Sequence, residues 1–204
     1  MKKLKYIAPI LIAVACLGLQ QAKADTITYN LTVANTSTLG AGPFGSVLVD
    51  RTSTTTATIT FTAASGYLFV DGSAVDVNVN GTFTATGFTA SPGEAVSFSG
   101  AKNVDGFGSF NDTNSEMDAS NGDTTVSFTL TATGSTSWAT AGSVLIANSN
   151  GALVAAHVFL VGSNGVTGFV SNGGAVNTPD GGTTVMLLGA ALGALGVARR
   201  FLMS

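Results

Sequence analysis

Apolar and polar residues alternate with a period of two through most of the chain after residue 25. Ile27, Tyr29, Leu31 and Val33 alternate with Thr26, Thr28, Asn30 and Thr32. Ala57, Ile59 and Phe61 alternate with Thr56, Thr58, Thr60 and Thr62, and Val126, Phe128, Leu130 and Ala132 with Ser127, Thr129 and Thr131. Val75, Val77 and Val79 alternate with Asp76, Asn78 and Asn80, and Phe83 and Ala85 resume the pattern after Gly81. A residue on a strand shares its face with the residue two along, so each run predicts a half-buried strand with one Thr/Asn face. Turn signals at Gly40 to Gly45, Asp71-Gly72, Ser91-Pro92-Gly93 and Asn121-Gly122-Asp123 separate them. Roughly eight to ten short strands at this spacing predict an all-β fold, an antiparallel β-sandwich or a jelly-roll-like domain.

Two stretches depart from the alternation. Ala152 to Val161 is apolar on both faces and predicts a central strand. Ser137 to Ser149 predicts one short helix, capped by Ser137, with Trp138, Ala141 and Leu145 on its inner face; Val144 and Ile146 argue for a strand instead. The Gly-rich residues 162–177 read as a linker, which sets the β-domain at residues 25–161.

Both ends carry address signals. Lys2, Lys3 and Lys5 precede an apolar stretch from Tyr6 to Leu19, and Ala22-Lys23-Ala24 forms a small-x-small cleavage site. Residues 1–24 therefore read as a signal peptide, with an uncleaved anchor helix as the competing reading and Asp25 as the expected mature start. At the other end Thr178-Pro179-Asp180-Gly181-Gly182 leads into an apolar run from Thr183 to Ala198, closed by Arg199 and Arg200. As a helix that run would be about 24 Å long at ~1.5 Å per residue, a short transmembrane span helped by snorkelling arginines. Arg199 and Arg200 would stay cytoplasmic and act as the membrane stop, leaving the body on the side to which the signal delivers it.

Pro-Asp, an apolar Leu/Gly/Ala span and a terminal arginine pair, in that order, resemble the PEP-CTERM class of sorting signals. Pro179, Asp180, Gly181 and Gly182 are closest to the variant built on Val-Pro-Asp-Ser-Gly, with Thr178 in place of Val and Gly181 in place of Ser. The resemblance covers residues 178–204. It implies recognition by an exosortase, a membrane transpeptidase, then processing of the tail and passage to the cell surface or the exopolysaccharide matrix.

Composition narrows the role of the body. Hydrophobic residues make up 45% of the chain and charged residues only 9%, so exposed strand positions are filled by Thr instead of Lys and Glu. Of the eight basic residues only Arg51 and Lys102 lie between Asp25 and Asn177, against ten acidic ones, a formal charge of −8 for the body. Such a body repels nucleic acid and anionic lipid, which excludes both as its partners. The one cysteine, Cys16, falls within the signal and is expected to leave with it; lipidation there is the alternative.

No catalytic constellation emerges, and the body reads as non-enzymatic. His157, the one histidine, lies in Ala155-Ala156-His157-Val158-Phe159 with no nucleophile elbow in the chain. One His without a mature Cys does not make a zinc site. Calcium fits better as a metal, because Asn111, Asp112, Asn114, Glu116, Asp118 and Asp123 gather hard oxygens in one expected loop, although Met117 stands where an EF-hand needs Gly. Solvated loop carboxylates are the plainer reading. Asp71, Asp76, Glu94 and Asp105 offer no spacing that selects a glycosidase pair. The leading expectation is an exported structural or matrix protein. The alternative is a surface-anchored carbohydrate-binding β-sandwich, with surface polysaccharide as partner and Trp138, Tyr67, Phe69, Phe107 or Phe110 stacking on sugars.

Overall fold

A computed structural model describes residues 25–70, 72–92, 97–115 and 122–177. Eleven strands form one antiparallel sheet: β1 (Asp25–Ala34), β2 (Gly45–Arg51), β3 (Thr56–Ala63), β4 (Tyr67–Phe69), β5 (Val75–Val77), β6 (Phe83–Ser91), β7 (Ser97–Val104), β8 (Gly108–Ser115), β9 (Thr125–Ala132), β10 (Val154–Leu160) and β11 (Thr167–Asn177). Their order is β6-β9-β3-β2-β1-β11-β10-β5-β8-β7, with β4 paired to β10 beside β5. Among the described residues the only helical elements are two 3-10 turns, Ser37–Leu39 and Ala141–Ser143, and no helix is long and apolar enough to cross a membrane.

The sequence period explains the first half of the sheet. β3 and β9 bury their alternate apolar residues, Ala57, Ile59 and Phe61 in the one and Val126, Phe128 and Leu130 in the other, while those of the outer strand β6 are half-buried. The opposite face is a grid of hydroxyls. Thr56, Thr131 and Thr84 lie in one cross-strand row, Thr58, Thr129 and Thr86 in the next, then Thr60, Ser127 and Thr89, then Thr62, Thr125 and Ser91. Thr suits these positions because its β-branch fits the pleat while its hydroxyl stays in water. Thr60 and Ser127 also share a hydrogen bond at 3.1 Å.

The two halves of the sheet share one core. Ile59, Phe61 and Phe128 from one side pack in the same cluster as Phe69, Val75, Val154, Ala156 and Val158 from the other. Phe61 meets Phe69 edge-on at 6.0 Å and stacks on Phe128 at 6.5 Å. β10, expected to be central, lies between β11 and the β4/β5 pair with Val154, Ala155, Ala156 and Val158 buried. β6 and β7, consecutive in the chain, form the two outer ends of the sheet.

Three expectations need correction. Residues 162–177 are not a linker: β11 occupies Thr167–Asn177 and pairs with β1 on one side and β10 on the other. The β-structure therefore extends past residue 161, because backbone pairing to two neighbours holds a Gly-rich strand that has few apolar side chains of its own. Residues 137–149 are not a helix beyond the single turn at Ala141–Ser143. Trp138, Ala141 and Leu145 are all buried, but through tertiary contacts: Trp138 donates from its backbone to Thr54 and from Nε1 to the Asn80 carbonyl, and Leu145 bridges Val79. The presumed acidic loop begins later than expected, since Asn111, Asp112 and Asn114 belong to β8.

Candidate functional site

The address signals frame the described fold. β1 begins at Asp25, directly after Ala22-Lys23-Ala24, the expected cleavage site, and β11 ends at Asn177, one residue before Thr178. Ile27 pairs with Asn177 across the β1–β11 ladder, so both ends of the folded body leave from the same end of the sheet. Asp25 also fixes the loop after Trp138, accepting from the Ala141 amide at 2.6 Å, and lies 3.9 Å from the Arg51 guanidinium. Pro179, Asp180, Gly181 and Gly182, the apolar run expected to span the membrane and the expected stop residues Arg199 and Arg200 lie outside the described residues, as do Ala22, Ala24 and the rest of the expected signal.

Within the body, the five calcium candidates do not form one loop. Asp112 and Asn114 stand on β8, Glu116 and Asp118 fall outside the described residues, and Asp123 lies before β9 in an isolated bridge to Phe69. Gly122 lets the chain pass there, because a side chain would meet the Phe69 carbonyl at 2.5 Å. Among the described residues no group of three His, Cys, Asp or Glu side chains is placed to hold a metal ion.

Instead, the structure sets apart two carboxylates from adjacent strands, Asp76 of β5 and Asp112 of β8, both fully buried. Asp76 stands opposite Thr113 and Asp112 opposite Val77, so strand alternation sends them to opposite faces of the β5–β8 pair. None of their four oxygens makes a hydrogen bond among the described residues. Burial pushes Asp112 from the ordinary 3.8 up to about 7. Burial also holds Asp76 well above its ordinary value, with the Asp112 charge adding to the rise; the nearby Ser73 hydroxyl and Lys102 pull the other way. Sequence alternation placed Asp76 on a solvent face; the hint that went unused is its position between two valines in a chain that can fold a hairpin over it.

The remaining candidates are core or ordinary surface. His157 of β10 is half-buried and stacked on Phe169, ring centres 4.4 Å apart. Trp138, Phe69 and Phe110 are buried, Tyr67 is half-buried with its hydroxyl donated to the Leu39 carbonyl at 2.8 Å, and half-buried Phe107 packs beside Val104 and Phe110. These five do not form an exposed row. Asp105 is exposed and accepts from Asn35 at 3.1 Å, and Asp71 and Glu94 lie outside the described residues.

No curated protein and no solved structure shows significant similarity to the chain. Residues 179–201, however, match the family model of the VPDSG-CTERM motif. The end of this chain is therefore a VPDSG-CTERM motif, a PEP-CTERM-like exosortase sorting signal that implies export and membrane-associated sorting.

Proposed function

We propose that this chain is an exported surface or exopolysaccharide-matrix protein, whose tail is cut by an exosortase and whose body is a non-enzymatic, sandwich-like β-scaffold. The observation that carries the reading is the sorting motif at residues 179–201. It follows within two residues of the last strand, and the pairing of Ile27 with Asn177 sends both addressed ends toward the same side of the body. Such a body can fold outside the membrane while signal and tail engage it from one direction. Tail recognition then depends on Pro179 and Asp180, the apolar run Thr183 to Ala198 holds the chain in the bilayer, and Arg199 and Arg200 arrest it.

The scaffold reading is preferred over a carbohydrate-binding module because Trp138, Phe69 and Phe110 are spent on the core. A stacking platform would present such rings to solvent. The test is to replace Pro179 and Asp180 by Ala and follow the chain in its native cells by fractionation and intact mass. The wild type is expected to lose its tail and leave the inner membrane, and the variant to stay there at full tail length. Equal processing of both proteins would refute the assignment of the motif.

A further inference from the structure

The β7–β8 hairpin hangs from the rest of the sheet by a narrow join. Its inner strand meets β5 through three residue pairs, Val75 with Asn114, Asp76 with Thr113 and Val77 with Asp112, and β5 is only three residues long. The hairpin closes over a small cluster separate from the main core, in which Val104 and Phe110 meet Ala152 and Ala155. Among the described residues it is also fastened by neutral side chains: Asn148 donates to the Phe107 and Ser109 carbonyls, and Asn111 bonds both the amide and the carbonyl of Val79. Asn35 reaches the exposed Asp105 at the hairpin tip.

The join itself carries two of the three buried carboxyl groups among the described residues, one on each face; the third is Asp123. A neutral carboxyl in such a place forgoes hydrogen bonds, whereas an ionised one is far more costly without a partner. The groups around Asp76 do not remove that cost. Ser73 in the preceding turn does not reach hydrogen-bond geometry, and Lys102 on β7 is exposed to solvent. His157 lies two positions beyond Ala155, the register partner of Asp76 on β10, and is stacked on Phe169. An ionised Asp76 or Asp112 therefore has one cheap route to solvation, which is to part the three pairs of the join.

We propose that the β7–β8 hairpin is a pH-operated flap, closed while Asp76 and Asp112 stay neutral in the join that carries it and opened as they ionise. Opening uncovers the apolar patch around Phe110 and Ala155 and frees the edge of β5. The closed flap holds more protons than the open one, in which both carboxyls return to ordinary acidity. Opening is thus favoured as pH rises, by up to about tenfold per pH unit for each proton released.

Amide hydrogen exchange of the full chain in detergent, from pH 5 to 8.5 with intrinsic rates divided out, tests this. Protection of the Val104, Phe110 and Asp112 amides is expected to fall as pH rises toward neutrality, by up to about tenfold per pH unit for each proton released, while Ile59 and Phe128 stay better protected than the hairpin at every pH. In D76N/D112N, which retains shape but cannot ionise, the fall should vanish. Should that double variant not fold, D112N alone is expected to remove one proton's share of the slope below pH 7. A pH-independent hairpin in the wild type, or the same slope in either variant, would overturn the proposal.

Discussion

β6, β9, β3 and β2 are strands of seven to nine residues, joined by ladders in which most apolar positions face one core and Thr fills most of the opposite face, with Leu48 of β2 the exposed exception. At the far end β5 has three residues, β8 leaves it after three pairs, and the β7–β8 ladder is interrupted by two register shifts. The first region contains no charged side chain in β3, β6 or β9, whereas the second buries two carboxyls. Stability in the first comes from local pattern repeated over many neighbours. In the second it depends on a few side chains, each doing something its neighbours cannot replace. That difference makes the long-strand half a scaffold and the short-strand half the place where conditions can change the structure.

The largest test of the contrast is Phe61→Ala. Phe61 is fully buried between Phe69 and Phe128, at the point where the two halves meet. Its truncation is expected to lower unfolding free energy by about 3–5 kcal/mol in denaturant titration, with one cooperative transition shifted as a whole. Loss of only the hairpin region would show that the halves do not share a core.

Changing pH comes next. Asp76 and Asp112 are raised above their ordinary value when folded, so between about pH 4 and 7 the folded chain binds more protons than the unfolded one. Their contribution to stability is complete below the unfolded value and is lost as pH rises, through about 7 for Asp112, with Asp76 raised in the same direction. Urea midpoints should therefore fall from pH 5 to pH 8, with a slope of at most about 1.4 kcal/mol per unit for each proton. A midpoint that rises across this range would give the wrong sign.

Asn111→Ala should cost less, about 1–3 kcal/mol, because it strands both the amide and the carbonyl of Val79. The loss should appear first as faster exchange in β7 and β8, not in β3. Thr129→Val on the hydroxyl face should do least, within about 0.5 kcal/mol, since its row neighbours Thr58 and Thr86 keep the pattern. A large loss at Thr129 would mean that the outer face is covered.

The same contrast governs what could be read from sequence. β1, β3 and β9 were legible because one face is core and the other water, which writes a period of two into the chain. β4 and β5 are too short to write any period. β11 reads as a linker in the sequence because its apolar content is low; its place depends on β1 and β10, strands more than a hundred and only about a dozen residues away respectively in the chain. Trp138, Ala141 and Leu145 have helical spacing, yet their burial comes from Thr54, Asn80 and Val79, contacts that local spacing does not encode. The residues around Asp112 read as a loop of oxygens when they form a strand, and the alternation at Asp76 reads as a solvent face because nothing nearby in the chain announces the hairpin that covers it. The tail behaves differently. Its function lies in linear order, so Pro179, Asp180 and Arg199-Arg200 could be read without a fold, and the family match at residues 179–201 agrees.

That makes the tail the place to test the account most directly. The decisive measurement is the intact mass of the wild-type chain recovered from its native cells, compared with the same cells lacking exosortase. The account predicts a surface or matrix form that starts at Asp25 and ends upstream of Arg199, and, without exosortase, a membrane-held form retaining the whole tail through Ser204. A chain that ends at Ser204 in both strains would contradict it.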